Sequence, residues 1–409
     1  MSQIIVRYGG QIVGRLAQTP TDLAFEYDPG FIATGHALSP FNLPLRPGVQ
    51  TRGRGRLPGL FDDSLPDAWG RRVMLEWFRQ QGTPEHEVTP LAMLAFVGNH
   101  GMGALTYEPA QNPVEHPWTS VSLDALQAAA LRAEQAGEID LDVLAGVGSS
   151  AGGARPKALI ALAREGSQLP LAGAGEIPTT HEAWLVKLDT SPDNSHGPME
   201  EAYARMARAA GVEMPETRLL ETKRGGKVRR HFAVKRFDRE GAERIHHHTL
   251  AGMMHVGGGD LNYETFLRVT RRLTHDETEV WRALRRAAFN VLASNRDDHG
   301  KNHGFLYRDR KWQLGPAYDV TFSSPQQIAE RGMAILGERR AASVDNLLRL
   351  ADNEGLDRRS AQGIIEQVRA GIARWREFAD QARVPALKAA EVGQVLATAP
   401  SQRPGPALG

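Results

Sequence analysis

Residues 295–302 read Asn-Arg-Asp-Asp-His-Gly-Lys-Asn, and Asp319 follows in the segment Pro-Ala-Tyr-Asp-Val. Asp297 and Asn302 are five positions apart on a short polar stretch, so a carboxylate and an amide can face the same substrate and the same ion. Asn and Asp supply oxygen ligands, which suit Mg²⁺, an ion that takes few ligands from the protein. A polar turn after a helix is the alternative interpretation, because Asn, Asp, Gly and His are common turn residues.

The order of these residues is typical of protein kinases. In kinases a catalytic Asp is followed by a metal-binding Asn on the same loop, and a second metal-binding Asp lies further along the chain. Asp297, Asn302 and Asp319 reproduce that order. Phosphoryl transfer needs a carboxylate to accept the hydroxyl proton and oxygen ligands to hold Mg²⁺ against the phosphates.

The composition is typical of a soluble globular protein. The chain has 409 residues, of which 41% are hydrophobic, and this length suggests roughly two or three domains. Cysteine is absent, which excludes disulfides and thiolate metal sites. No apolar run approaches the roughly 18 residues of a membrane span, and the N-terminal residues lack a signal-peptide pattern. We therefore expect a cytoplasmic protein without membrane association, and the net charge of +1 predicts no strong binding of DNA by this chain alone.

The hydrophobic pattern predicts an α+β protein with four segments, at residues 1–110, 111–244, 245–396 and 397–409. The first is β-rich, because short alternating runs at residues 4–8, 12–16 and 23–27 precede a helical stretch at 60–77. Residues 109–118 read as a linker. The last segment is rich in Pro, Gly and Ala and is expected to be disordered.

The two middle segments have different patterns. In the second, a helix at 122–137 precedes a glycine-rich turn at 146–157, strands at 158–163 and 184–188, a helix at 199–211 and a strand pair at 217–222 and 231–237. In the third, helices dominate: a buried helix at 276–294 delivers the loop at 295–302, a hairpin at 305–314 ends at Asp319, and helices at 344–353 and 360–379 follow.

Two features of the second segment fit a nucleotide site. Gly146, Gly148, Gly152 and Gly153 allow close approach of the backbone to phosphate oxygens, although the loop matches no standard phosphate-binding motif. Lys187 is flanked by apolar residues within a predicted strand, where it could contact phosphate or face solvent from an edge strand. Kinases pair such a lysine with a helical Glu, and Glu201 is the partner we predict.

Several motifs in the right order resemble those of the HipA-like serine/threonine-protein kinase toxins. They are Ser149-Ser-Ala-Gly-Gly-Ala-Arg-Pro-Lys157, Trp184-Leu-Val-Lys187, Val234-Lys-Arg-Phe-Asp-Arg239, Asp297-x-His-x-Lys-Asn302 and Pro316-Ala-Tyr-Asp319. In the first segment, Asp63-Ser-Leu-Pro-Asp67 is similar to that family's first-domain signature. The resemblance covers nearly the whole chain.

The resemblance implies a kinase-like, two-lobed fold with an extra N-terminal β-rich subdomain and an all-helical C-terminal lobe. It also implies ATP- and Mg²⁺-dependent phosphorylation of serine or threonine. The implied roles are Asp297 as base, Asn302 and Asp319 as Mg²⁺ ligands, Lys187 as phosphate contact, and Gly152, Gly153, Ala154, Val234, Lys235, Phe237, His299 and Tyr318 around the nucleotide. Lys235 departs from the acidic residue often found at its position in the family.

The resemblance further implies regulation and partners. Ser150 occupies the place of a loop serine whose autophosphorylation switches these kinases off, and adjacent Ser149 could share or replace that role. A phosphoryl group on a phosphate-binding loop would repel ATP. The implied partners are a protein substrate, such as an aminoacyl-tRNA synthetase or another translation component, and a HipB-like DNA-binding antitoxin, so that contact with DNA is indirect.

Two other functions compete with this interpretation. A metal-dependent hydrolase or nuclease could use His246, His247, His248, Asp297, Asp298, His299 and His303, although three consecutive histidines cannot all face one ion. A non-catalytic, kinase-like corepressor of a DNA-binding antitoxin is the second, although the base and both metal ligands are present in the sequence.

Overall fold

The computed structural model describes residues 3–111, 117–148, 153–165, 169–173 and 175–398. The chain divides into two compact units. Unit 1 comprises Met1–Thr190, Leu220–His248 and Gly252–His255, and unit 2 comprises Ser191–Leu219, Thr249–Ala251 and Val256–Gly409. The division into four segments remains a prediction. Among the described helices, none combines the length and the apolar character needed to cross a bilayer.

Unit 1 begins with the β-rich region expected from the sequence. Its five strands are β1 (Gln3–Tyr8), β2 (Gln11–Gln18), β3 (Leu23–Tyr27), β4 (Val49–Thr51) and β5 (Leu105–Glu108). They form an antiparallel sheet in the order β4-β3-β2-β1-β5. Alternate residues such as Ile4 and Val6 are fully buried, which is the period-2 pattern of a sheet with one face in the core.

Helices accompany these strands in the described part of unit 1. They are α1 (Pro29–Thr34), α2 (Gly59–Asp62), α3 (Ala68–Gln80), α4 (Pro90–Val97), α5 (Leu123–Ala136) and α6 (Leu141–Gly148). The stretch predicted as one helix at 60–77 is two helices. Pro66 lies between them, and proline cannot continue a helix through its interior. The prediction for α5 is confirmed, because Ser122 caps its first turn and Gly137 ends it in the left-handed conformation.

The second sheet of unit 1 carries the candidate nucleotide residues. Its strands are β6 (Thr119–Ser120), β7 (Lys157–Ala163), β8 (Leu171–Ala172), β9 (His181–Lys187), β10 (Thr217–Arg224) and β11 (Lys227–Lys235), in the order β10-β11-β9-β7-β8-β6. The predicted hairpin between β10 and β11 is confirmed. Gly225 and Gly226 both have positive φ, 54° and 74°, which the tight two-residue turn requires.

One face of this sheet packs against α3, α5 and α6. The shared core contains Trp69, Leu126, Leu144, Ile160 and Trp184, all of which are at most 2% exposed. The sequence predicted a glycine-rich turn from residue 146, but α6 extends to Gly148, so Gly146 and Gly148 are helical.

Short elements connect this sheet to the remainder of the chain. They are β12 (Arg239–Glu240), β13 (Glu243–Arg244), β14 (His246–Thr249) and α8 (Leu250–Met254). The strands β12 and β13 pair antiparallel with each other.

The described part of unit 2 consists mainly of helices, with one hairpin. Its helices are α7 (His196–Ala209), α9 (Tyr263–Thr274), α10 (Glu277–Leu292), α11 (Val344–Asn353), α12 (Arg358–Ala373), α13 (Trp375–Gln381) and α14 (Ala386–Thr398). The hairpin joins β15 (Gly304–Arg308) to β16 (Lys311–Leu314). The helix predicted at 360–379 is divided between α12 and α13, and α14 was not predicted. Ala397 and Thr398 of the predicted disordered tail belong to α14, so the prediction is wrong for these two residues. Residues 399–409 lie outside the described residues.

Candidate active site

Helix α10 delivers the polar loop, as the sequence predicted. Asp276 caps the first turn, and Val280, Leu284 and Ala287 follow at helical spacing and are fully buried. The helix ends at Leu292, and Ser294 reverses the chain with a φ of 51°. The loop therefore starts from a rigid, buried element, which fixes the position of the side chains that follow.

The structure brings Asp297, His299 and Asn302 together on this loop. The Asn302 side chain donates from Nδ2 to the backbone carbonyl of Asp297 at 2.7 Å, and its backbone N–H donates to the carbonyl of His299 at 2.8 Å. His299 Nε2 lies 3.6 Å from Asp297 Oδ1. The Asp297 side chain is 55% exposed, so a substrate hydroxyl can reach it.

The segment that carries Asp319 is tied to this loop at two points. The Tyr318 hydroxyl donates to the carbonyl of Lys301 at 2.6 Å. Ser294 Oγ donates to the carbonyl of Ser323 at 3.1 Å, and the Ser323 N–H donates to the carbonyl of Ser294 at 2.9 Å. Between these points Asp319 has a φ of 54°, the left-handed conformation that is uncommon outside glycine. A turn of this kind, held on both sides, is typical of functional sites.

The donor set of these loops fits Mg²⁺. The Asn302 amide uses Nδ2 internally, which leaves its oxygen as the polar atom available for an ion. Asp319 contributes a carboxylate, and hard oxygen donors of these two kinds are what Mg²⁺ prefers. Asn302 and Asp319 would be the residues that hold the ion.

Asp298, which the sequence analysis assigned only to the hydrolase alternative, anchors the loop. Its Oδ2 accepts from the Tyr263 hydroxyl at 2.6 Å and from Arg331 Nη1 at 2.8 Å, and its Oδ1 accepts from the Gly332 N–H at 2.8 Å. The Asp298 side chain is fully buried. Asp297 is thus exposed, whereas the adjacent Asp298 is buried. Both residues are aspartates in one polar stretch, so the sequence gives no signal that distinguishes them.

In unit 1, two lysines share one face of the second sheet. Lys187 is directly opposite Lys157 in the antiparallel pair β7–β9. Directly opposite side chains project from the same face, and two like charges there are unfavourable unless an anion lies near. Lys157 is only 3% exposed, and Lys187 Nζ lies 5.9 Å from the centroid of the Phe232 ring. Lys157 is the one charged residue of β7 and directly precedes an apolar run, a signal that could have identified it as a second candidate for phosphate contact.

Only the end of the glycine loop is described. Gly153 has a φ of 95°, a backbone conformation that residues with a side chain rarely adopt, so glycine is favoured there. A Cβ at this position would also lie 2.3 Å from Lys157 Nζ, the flexible end of that side chain. Ala154 follows and is exposed. Gly152, Ser149 and Ser150 lie outside the described residues.

The predicted adenine segment is the end of β11. Val234 and Lys235 pair with Leu185 and Trp184 of β9, and the Phe237 ring lies 5.3 Å from the ring of His247. Lys235 Nζ donates to Glu182 Oε1 at 2.8 Å. An acidic group is therefore present next to this lysine, on the adjacent strand.

A buried ion cluster holds the chain just beyond Phe237. Asp238 is fully buried, and both Arg236 and Arg239 donate to its carboxylate, at 2.7 and 2.9 Å. Burial alone would raise the pKa of Asp238, but the two guanidinium groups hold that pKa well below its usual range. The Gly103 N–H also donates to Asp238 Oδ2, at 2.7 Å, so the cluster joins this segment to the loop before β5.

Glu201 has a different partner within its own helix. It is 2% exposed, and its Oε1 accepts from Arg205 Nε at 2.7 Å. Lys187 belongs to unit 1 and Glu201 to unit 2. Pairing between these two residues remains a prediction.

The histidines of the hydrolase alternative have structural contacts. His248 donates from Nδ1 to Asp63 Oδ2 at 2.5 Å, and its Nε2 is hydrogen-bonded to the Ser39 hydroxyl at 3.0 Å. His246 Nε2 contacts the carbonyl of Leu38 at 2.9 Å. Burial lowers the pKa of His246 to about 3, so this imidazole is neutral. Across the described residues, no group of three or more His, Cys, Asp or Glu side chains is placed to hold a metal ion.

Comparison with known proteins identifies two relatives in Sinorhizobium fredii strain NBRC 101917 / NGR234. The chain is 26% identical over 358 residues to Y4dM, covering 84% of this chain and 81% of that protein. It is 25% identical over 423 residues to Y4mE, covering 93% of this chain and 94% of that protein. Both relatives are named as candidate kinases.

The fold and the family agree with the resemblance seen in the sequence. The structure matches HipA of Shewanella oneidensis MR-1, solved with HipB and operator DNA, with a TM-score of 0.71 at 17% identity over 97% of this chain and 95% of that chain. The pattern of the HipA N-terminal domain matches residues 4–108, and that of the HipA-like C-terminal domain matches residues 149–375. The chain therefore belongs to the HipA family and has the HipA-like fold.

Proposed function

We propose that this protein is an ATP- and Mg²⁺-dependent serine/threonine-protein kinase and the toxin of a HipBA-like toxin–antitoxin system. The observation that carries the proposal is the loop of unit 2, where Asp297 is exposed and the side chain of Asn302 is fixed against the Asp297 backbone. Two relatives named as candidate kinases support the same activity.

In this proposal each residue has one task. The Asp297 carboxylate accepts the proton of the substrate hydroxyl as the hydroxyl oxygen attacks the terminal phosphorus of ATP. The bond from that phosphorus to the oxygen that bridges it to the β-phosphate breaks, and ADP leaves. Asn302 and Asp319 hold Mg²⁺, which neutralises charge on the phosphates when bound. Lys187, together with Lys157 on the opposite strand, contacts the phosphates. Asp298 keeps the loop in place through Tyr263, Arg331 and the Gly332 amide.

The remaining nucleotide contacts follow from the family resemblance. Gly152, Gly153 and Ala154 cradle the phosphates, and Val234, Lys235 and Phe237 lie beside the adenine. His299 and Tyr318 are further nucleotide-site residues in this proposal. The Lys235 ammonium group is already paired with the Glu182 carboxylate. This supports recognition of the adenine by the backbone of β11 and not by the Lys235 side chain.

The proposal includes regulation and partners. Autophosphorylation of Ser150, or of Ser149, would place about −1.5 to −2 charges on the phosphate-binding loop and weaken ATP binding. A HipB-like DNA-binding antitoxin is the proposed partner, because the structurally similar HipA from Shewanella oneidensis was solved with HipB and operator DNA. The protein substrate belongs to the translation machinery in this proposal, and an aminoacyl-tRNA synthetase is the first candidate.

The proposal is tested with Asp297→Asn, which keeps the size of the side chain and removes the base. We expect folding to be preserved and phosphoryl transfer to fall about 10³-fold, which corresponds to roughly 4 kcal/mol of activation barrier. The measurement is incorporation of labelled phosphate from ATP in the presence of Mg²⁺, with mass spectrometry of the peptide that contains Ser149 and Ser150. Unchanged transfer in this variant would exclude Asp297 as the base.

One control variant and two further outcomes complete the test. Asp309→Asn is the matched control, because Asp309 is an exposed carboxylate at the β15–β16 turn, and we expect it to leave activity unchanged. A wild-type protein that binds an antitoxin but transfers no phosphate would support the corepressor instead. Cleavage of nucleic acid that survives Asn302→Ala would support the hydrolase.

A further inference from the structure

The first-domain signature Asp63-Ser-Leu-Pro-Asp67 ends at a residue with an unusual contact. Asp67 is at the N-cap of α3 with extended backbone, and its side chain makes no capping bond to a described amide of that helix. Such an Asp usually accepts from the second or third amide of its own helix. Its Oδ2 instead accepts from the backbone N–H of Gly153 at 2.9 Å.

The N-terminus of α3 also binds the backbone carbonyl of Gly153. The backbone N–H of Trp69 donates to the carbonyl of Gly153 at 3.2 Å. The Trp69 amide belongs to the first turn of α3, where amides have no acceptor within the helix. The N–H and the C=O of one glycine are therefore both held by two neighbouring residues, Asp67 and Trp69.

The helix that holds Gly153 is rigidly attached to the second sheet. Trp69 and Val73 of α3 are fully buried in the core that also contains Ile160 and Trp184. Asp67 and Trp69 thus occupy a fixed position relative to β7 and β9, the strands that carry Lys157 and Lys187.

Gly153 in turn limits where Lys157 can lie. A Cβ built on Gly153 would lie 2.3 Å from Lys157 Nζ, so the Lys157 ammonium group occupies the space beside the Cα of this glycine. Lys157 begins β7 directly opposite Lys187. Movement of Gly153 would therefore change the space available to the Lys157 ammonium group. It would also change the position of that group relative to Lys187 on the same face of the sheet.

We infer that Asp67 is a positioning residue, which holds the C-terminal end of the glycine loop in the conformation in which Lys157 and Lys187 meet the nucleotide phosphates. This inference rests on the proposed nucleotide binding. The N-terminal signature then acts on the phosphate site without contacting the nucleotide. A carboxylate accepts a stronger hydrogen bond than a neutral oxygen, which explains why a charged residue serves here.

The test compares Asp67→Ala, Asp67→Asn and the control Asp124→Ala, an exposed acidic residue in the first turn of α5. Asp67→Ala removes the acceptor, and we expect KM for ATP in autophosphorylation to rise roughly 10-fold, as the loss of a hydrogen bond to a charged group implies. We expect kcat to change little, because Asp67 acts before the chemical step. Asp67→Asn keeps an oxygen acceptor and should recover most of the affinity.

A second measurement does not require activity. We expect hydrogen exchange at the Gly153 amide of the nucleotide-free protein to be roughly 10-fold faster or more in Asp67→Ala, and unchanged in Asp124→Ala. Unchanged exchange, or unchanged KM in a folded and active Asp67→Ala protein, overturns the inference. If Asp67→Ala does not fold, Asp67→Asn replaces it in this measurement. Its neutral oxygen accepts a weaker hydrogen bond, so we expect exchange at Gly153 to be faster in Asp67→Asn than in wild type, and equal exchange overturns the role of Asp67.

These outcomes separate the inference from the proposed function. A wild-type protein that fails to bind a non-hydrolysable ATP analogue with Mg²⁺ in calorimetry overturns the nucleotide site itself and the inference with it. A wild-type protein that binds the analogue, with the same affinity as Asp67→Ala, overturns only the role of Asp67.

Discussion

At the scale of single residues, Asp298 decides the geometry of the candidate catalytic loop. Its carboxylate is fully buried and forms an ion pair with Arg331, whose side chain is 3% exposed. Tyr263 donates to the same carboxylate, and Asn290 Nδ2 donates to the Tyr263 hydroxyl at 3.0 Å, so the network extends into α10. Burial and the nearby Asp298 charge raise the pKa of Tyr263 well above its usual value, which keeps its hydroxyl protonated as a donor.

Removal of Arg331 should therefore be costly. We expect Arg331→Met to lower the free energy of unfolding by about 3–5 kcal/mol, because it leaves the buried Asp298 charge without its cation. Urea unfolding of the two proteins measures the difference. The matched control is Arg340→Met, because Arg340 pairs with Glu330 at the surface, with side chains 74% and 50% exposed, and should change stability little. Equal losses in the two variants would contradict this account of the loop.

At the scale of elements, unit 2 depends on the close approach of two helices. A Cβ added at Gly371 of α12 would lie 2.6 Å from the backbone nitrogen of Ala210, just after α7. No such atom fits without movement of the backbone, so glycine is required where these helices meet. Gly363 lies in the same helix, where an added Cβ has no described neighbour within 4 Å.

These two glycines give a matched pair of substitutions. We expect Gly371→Ala to destabilise the protein by about 1–3 kcal/mol, the usual cost of overpacking. Gly363→Ala should stabilise it by roughly 0.5–1 kcal/mol, because alanine has the higher helix propensity. Thermal or urea unfolding of both variants measures the sign. A stabilising Gly371→Ala would show that α7 and α12 pack less closely than described.

At the scale of the whole molecule, buried histidines predict sensitivity to acid. Burial lowers the pKa of His231 to about 4, of His246 to about 3 and of His255 to about 4. In the unfolded chain these groups protonate near pH 6.5, their ordinary value. Below that pH the unfolded state binds more protons than the folded state. The contribution of these histidines to the free energy of unfolding is therefore fully present above pH 6.5, and it is lost as the pH decreases toward their pKa values in the folded state.

We expect the urea midpoint to be lower at pH 5 than at pH 7.5. This window lies above the ordinary carboxylate range, so histidines account for most of the change. His246→Gln, which keeps a donor toward the Leu38 carbonyl, should make the dependence on pH shallower. His86→Gln is the control, because its side chain is 81% exposed. Identical slopes in wild type and His246→Gln would exclude His246 as a contributor.

Much of the fold could be predicted because the local signals agree with the tertiary context. The alternation in β1 to β3, the Ser122 and Gly137 boundaries of α5 and the Gly225-Gly226 turn are each specified by neighbouring residues. The errors arose where a local signal was weak or misleading. Gly146 and Gly148 have low helix propensity but are held in α6, because the apolar residues Leu144 and Val147 are buried in the core.

Some features of the candidate site could likewise be predicted from the sequence, and others could not. The order of Asp297, Asn302 and Asp319 is a property of the chain, and so are the motifs that identify the HipA family, because spacing along a loop is set by covalent geometry. The partners of Asp298, the pairing of Lys157 with Lys187 and the contact of Asp67 with Gly153 join residues that are distant in sequence. Such contacts depend on burial and on which elements pack together, and therefore only the tertiary structure decided them.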